Sequence, residues 1–125
     1  MEPRIDETLR IPALDGFELA ATLYEPATEG AGDGGPMVLI NSATAVRRGY
    51  YDGYARHLAA QGFTVLTWDY RGIGGSRPRS LSRFRARMRQ WGEEDLAGVL
   101  DWIAVHLRPK RLLVVGHSVG GQIVG

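Results

Sequence analysis

The sequence predicts an α/β fold: a three-layer, mainly parallel sheet that opens on a hairpin and continues as β-α-β-α-β. Three observations carry this. Met37-Val38-Leu39-Ile40 and Leu112-Leu113-Val114-Val115 are continuous apolar runs, as expected of strands covered on both faces. Two stretches between them place apolar residues at helical spacing. Asp15-Gly16 lies between two earlier strand candidates and reads as a hairpin turn.

In chain order, Glu7 to Ile11 and Phe17 to Tyr24 are the strands of that hairpin. Glu25 to Pro36 is rich in glycine and proline and reads as a surface loop. The Met37 to Ile40 strand follows. Tyr50 to Gln61 sets Tyr51, Tyr54, Ala55, Leu58 and Ala59 on a helical face, and Gly62 is placed to end the helix as its C-terminal cap residue. Phe63 to Trp68 is the next strand. Trp91 to Leu107 aligns Leu96, Val99, Leu100, Ile103 and Leu107 in one stripe, and Pro109 closes it before the final strand. Strands alternating with helices in this way favour a doubly wound sheet with a consistent crossover hand.

Composition narrows the function classes. With 15 Lys+Arg against 14 Asp+Glu, the whole chain has no global field for nucleic acid or an anionic membrane. The absence of cysteine excludes disulfides, thiolate metal sites and a cysteine nucleophile. The charged start Met1-Glu2-Pro3-Arg4-Ile5-Asp6-Glu7 lacks the apolar core of a signal peptide, and no apolar run approaches the ~18 residues of a membrane span. The expectation is a cytoplasmic protein.

The chemistry is concentrated at the end of the chain. Leu112 to Val115 runs directly into Gly116-His117-Ser118-Val119-Gly120-Gly121. Gly-x-Ser-x-Gly after an apolar strand is the pattern of a sharp strand-to-helix turn that exposes a serine hydroxyl. Such a turn strains the serine backbone and needs Gly116 and Gly120 without a Cβ so that neighbouring backbone can approach. A helix beginning near Val119 would aim free N–H groups at the same point, making Ser118 the candidate nucleophile and the Val119 N–H a candidate oxyanion donor. The plain alternative is a glycine-rich βα turn. Asp69-Tyr70-Arg71-Gly72-Ile73-Gly74-Gly75-Ser76 follows the Phe63 to Trp68 strand. It lacks the spacing and lysine of a phosphate-binding loop, so nucleotide binding is not expected. Asp69, Arg71 and Gly72 read as structural, the glycine for a tight reversal and the charged pair for hydrogen bonds that tie the loop.

The Gly116 to Gly121 motif, the Asp69 to Ser76 turn and the order of elements together resemble the α/β-hydrolase superfamily, in particular serine-aminopeptidase-like and esterase-like bacterial hydrolases. The resemblance implies the amino-terminal half of an α/β-hydrolase sheet, residues 1–125 forming a partial domain that stops just after the nucleophile elbow. It implies a serine hydrolase acting on a small-molecule ester, thioester or amide without a metal or organic cofactor, with its triad acid and histidine beyond Gly125. The chain alone is then expected to be inactive or nearly so. The resemblance also points to Asn41-Ser42-Ala43-Thr44-Ala45 as the loop of the second oxyanion donor, Ala43 or Thr44, although the His-Gly common there is absent; a small-residue turn capping the strand is the other reading. Ending here would leave Leu112 to Val115 as an open apolar edge, prone to self-association.

Three histidines compete for the role of base. His117 adjoins Ser118 on a turn where neighbouring side chains diverge, while His57 and His106 fall on the covering helices, so none is expected to reach the serine. Asp95 and Asp101, on the second helix, fail as orienting acids for the same reason. A different class of function comes from residues 77–89, where Arg77, Arg79, Arg83, Arg85, Arg87 and Arg89 occur without an acid. A non-catalytic remnant or module that binds an anion or partner through this segment is the alternative to a hydrolase. With aromatics limited to Phe84 and Trp91, the segment offers no stacking platform, and no nucleic-acid partner is expected.

Overall fold

A computed structural model describes residues 3–26, 36–41, 47–69 and 91–116, with side chains from 94 onward in the last stretch. It contains a five-stranded mixed sheet: β1 (Arg4–Pro12), β2 (Glu18–Glu25), β3 (Pro36–Asn41), β4 (Thr64–Trp68) and β5 (Arg111–Gly116). The order across the sheet is β1-β2-β4-β3-β5. β1 and β2 form the antiparallel hairpin, β2 pairs antiparallel with β4, and β3, β4 and β5 run parallel. Two helices, α1 (Asp52–Ala60) and α2 (Ala97–His106), complete the three layers.

The strand order dictates where the helices lie. The step from β3 through α1 to β4 moves one place across the sheet, and the step from β4 through α2 to β5 moves back over β3. Crossovers of one hand in opposite directions must cover opposite faces. The packing agrees. Val38, Ile40 and Val65 meet Tyr51, Ala55 and Ala59 of the α1 side, whereas Met37, Leu39, Leu66 and Trp68 meet Leu96, Val99 and Ile103 of the α2 side. Each of these alternating apolar side chains, fully buried, contributes about 1.5–3 kcal/mol through removal from water.

Sequence and structure part company at element ends and on helix flanks. The hairpin turns at Gly16, whose φ of +90° suits glycine, but its strands are longer than the apolar pattern and reach Arg4 and Glu25. β1 is an outer strand whose exposed Arg4, Asp6, Glu7, Thr8 and Arg10 hide it from a hydrophobicity reading, and its register shifts between Asp6 and Leu9. The first helix starts as a 3-10 turn, Arg48–Tyr51, and ends before Gly62 at φ +99°. Tyr54 is 48% exposed, because it stands on the flank of the stripe formed by Tyr51, Ala55, Leu58 and Ala59. Leu100 is likewise on a flank, at 36%. The second helix opens with a wider π-helical turn, Trp91–Leu96, where Asp95 is buried, while Asp101 on α2 is exposed. No described helix is long and apolar enough to cross a membrane.

Tyr24 fastens α1 to the sheet. Its hydroxyl donates to Asp52 Oδ1 at 2.7 Å, and Arg56 Nε donates to Asp52 Oδ2 at 2.8 Å. The bond from Tyr24, followed by that from Arg56, holds the Asp52 carboxyl below its ordinary 3.8, while burial and then Asp52 push the Tyr24 phenol above its ordinary 10.0. A depressed carboxyl stabilises the fold above its unfolded pKa, and that stability is lost as pH falls through the lower folded value. A raised phenol stabilises below its unfolded pKa and loses that contribution as pH rises past 10. Tyr24→Phe is therefore expected to destabilise at neutral pH, with the difference from the parent shrinking below about pH 4 as Asp52 becomes protonated. Urea unfolding at several pH values checks this; a difference that stays constant down to pH 2 contradicts it.

Candidate active site

The carboxyl ends of β3, β4 and β5 lie side by side. Ile40 is in register with Thr67 on one side and Val115 on the other, and Asn41 with Gly116. β3 is followed by α1 on one face of the sheet and β4 by α2 on the other. In open α/β sheets a crevice forms outside the carboxyl ends where connections part to opposite faces. Asn41, Asp69 and Gly116 stand at this edge.

Each is held by a distinct interaction. Gly116 is the last residue of β5, so Ser118 follows two residues beyond the strand that borders β3. Asn41 is fully buried and accepts the Trp68 indole N–H through Oδ1 at 2.9 Å. Asp69, 1% exposed, accepts the backbone N–H of Arg48 at 2.7 Å through Oδ1, and its Oδ2 meets the Arg48 guanidinium. Burying a carboxylate is costly unless it is paired and hydrogen-bonded, and Arg48 supplies both forms of compensation.

Ser118, His117, Val119, Gly120, Ala43, Thr44, Arg71, Gly72 and the arginine-rich residues 77–89 lie outside the described residues. Arg48 and Trp68 are the additions that sequence reasoning missed. A buried aspartate at a strand end demands a cation, and Arg47-Arg48 after the neighbouring strand was the available signal. The two described histidines are away from this edge. His106 stacks on Trp102 with ring centroids 4.8 Å apart at the end of α2 that leads into β5, so roughly 16 Å of strand separates that end from Gly116. His57 is exposed on α1, on the layer that covers one face of the sheet. Among the described residues no group of three or more His, Asp or Glu could hold a metal ion.

The family model of the alpha/beta hydrolase fold matches residues 35–125. The chain belongs to the alpha/beta hydrolase fold family. Among curated relatives of this hydrolase-fold chain, the quorum-quenching protein AidA of Acinetobacter baumannii is 32% identical over 106 residues, covering 82% of this chain and 33% of the relative. The probable aminopeptidase YbaC of Bacillus subtilis is 34% identical over 71 residues, 54% of this chain and 22% of the relative. The chain thus spans about a third or less of the length of these two relatives. Among solved structures, the alpha/beta hydrolase GrgF from a Penicillium species superposes with a TM-score of 0.77 at 21% identity, over 98% of this chain and 40% of that one. That likeness speaks for the fold, and the fold matches the sheet expected from the sequence.

Proposed function

We propose that this hydrolase-fold chain carries the nucleophile of a serine hydrolase, with Ser118 attacking the carbonyl carbon of a small-molecule ester, thioester or amide. The observation that carries the reading is the alignment of the β3, β4 and β5 carboxyl ends, with Gly116 in register with Asn41 immediately before His117-Ser118-Val119-Gly120. A Gly-x-Ser-x-Gly motif that follows directly on a parallel strand has the strand part of the strand–turn–helix context its chemistry requires. The amide end of the substrate range draws support from the relative named as a probable aminopeptidase.

In this mechanism the Ser118 hydroxyl gives its proton to a histidine as Oγ bonds to the carbonyl carbon. The resulting oxyanion is stabilised by the N–H groups of Val119 and of Ala43 or Thr44. Collapse expels the leaving group, which takes the proton from the histidine, and water then releases the acyl group by the reverse proton transfers. The chain order of the triad in alpha/beta hydrolases puts the base and its orienting acid on another segment of a protein of the relatives' length, a reading supported by the exposed positions of His57 and His106 on the covering helices. The 125-residue chain alone is expected to show little or no turnover.

A fluorophosphonate probe tests the assignment. In a protein of the relatives' length that carries these residues, the probe is expected to form one adduct, mapped by peptide mass to Ser118, and to block hydrolysis of p-nitrophenyl esters. Adduct formation at another serine, or hydrolysis that persists after complete labelling of Ser118, would overturn it. Comparing esters, thioesters and aminoacyl anilides then sorts the leaving group.

A further inference from the structure

The connection between β3 and α1 has both ends fastened to the end of β4. At its near end, Trp68 Nε1 donates to Asn41 Oδ1. At its far end, Asp69 takes both the backbone N–H and the guanidinium of Arg48. That guanidinium is gripped from two further sides: Nε donates to Thr22 Oγ1 at 2.9 Å and Nη2 to the Glu7 carbonyl at 3.3 Å. Trp68 and Asp69 are consecutive, and the fastenings lie on opposite sides of the sheet. Trp68 belongs to the core under α2, whereas Asp69 meets the turn that leads into α1.

We infer that Trp68, Asp69 and Arg48 are positioning residues that fix the two ends of the β3–α1 connection, at Asn41 and at the backbone of Arg48, against the end of β4. The inference rests on the proposed serine mechanism, in which that connection supplies the second oxyanion donor. Polar chemistry at this depth has a clear use. Trp68 and Asn41 are both fully buried, and an apolar pair of similar shape would pack there without the cost of desolvating an amide and an indole N–H. What the polar pair adds is direction. With Oδ1 committed to Trp68, the Asn41 side chain is held in one orientation at the end of β3. The Arg48–Asp69 pair adds direction in the same way, since its backbone N–H bond and its ion pair fix the first residue of the 3-10 turn as well as the side chain. An oxyanion donor stabilises a transition state only if it is already in place, and a displacement near 1 Å can cost about 100-fold in rate.

The test uses a protein of the relatives' length with an ester substrate. Trp68→Phe removes the indole donor while keeping an aromatic ring, and it is expected to lower kcat about tenfold with KM within about twofold of the parent. Asp69→Asn is expected to lower kcat by about 10–100-fold. Arg48→Lys should recover part of the activity lost in Arg48→Met. Affinity for a boronic acid that forms a tetrahedral anion on the serine should fall in step with kcat, while affinity for a planar uncharged substrate analogue stays put; a merely structural role would not separate the two. If Asp69→Asn does not fold, Trp68→Phe decides the matter. Parent-like kcat in Trp68→Phe, or equal losses for both inhibitors, overturns the positioning role. Ser118→Ala distinguishes the two levels: inactivity there alongside parent-like Trp68→Phe removes the clamp and leaves the nucleophile standing, whereas activity there removes both.

Discussion

Ser118→Ala is expected to lower kcat toward an activated ester by about 10⁴–10⁶-fold in a protein of the relatives' length, with folding unaffected. Members of a nucleophile–base pair act as a unit, so removing the serine forfeits nearly all the benefit of the machinery around it. What survives is the contribution of oxyanion donors and substrate binding to a direct attack by water. Alanine is smaller than serine by one oxygen, and removal of a functional side chain can leave stability unchanged or slightly improved. The diagnostic combination is therefore a collapsed kcat with parent-like thermal unfolding and parent-like affinity for a non-reactive substrate analogue. A loss of less than about 100-fold would indicate that a different group makes the attack.

Gly98→Ala is expected to destabilise the fold by about 2 kcal/mol, although alanine is the better helix former by about 1 kcal/mol. Gly98 is buried in α2, where a Cβ would stand 2.5 Å from the Ala13 Cα, 2.6 Å from the Pro12 carbonyl oxygen and 2.8 Å from the Ala13 carbonyl carbon. All three are backbone atoms, and they are not free to retreat. The Ala13 N–H donates to Phe17 O at 2.8 Å and the Leu14 N–H to Glu94 O at 3.0 Å, tying the hairpin end to the turn before α2. The helix itself would have to lift from the sheet, taking Val99 and Ile103 out of contact with β-strand partners. Gly53→Ala is the counterpart on α1: nothing lies within 4 Å of the added methyl, and helix propensity alone should raise stability by about 0.5–1 kcal/mol. Denaturant midpoints for the two variants should move in opposite directions, and a shared direction would show that propensity outweighs the contact at Gly98.

The elements most legible in the sequence are those set by local chemistry. Gly16 and Gly62 adopt the positive φ that marks the end of a strand and of a helix, and Leu96, Val99 and Ile103 occupy the buried stripe that their spacing forecasts. Long-range partnerships were not legible. Nothing local to Trp68 announces Asn41, 27 residues earlier, and nothing local to Asp69 announces Arg48, 21 residues earlier. These pairs exist because β4 inserts between β2 and β3, a placement decided by crossover direction and packing. The charged stretch at the start of β1 was illegible for a different reason: an outer strand has one side without a neighbour, so it needs no continuous apolar run.

That outer strand makes the two borders of the described sheet unlike each other. β1 borders it with Arg4, Asp6, Glu7, Thr8 and Arg10 exposed, a register shift and a terminal proline, all of which discourage another strand from pairing there. β5 borders it on the other side with Leu113, Val114 and Val115 between 36% and 46% exposed, and among the described residues it pairs with β3 alone. Among the described residues the two borders of the sheet thus present opposite surfaces to an incoming strand, charge and proline along β1 and apolar side chains along β5.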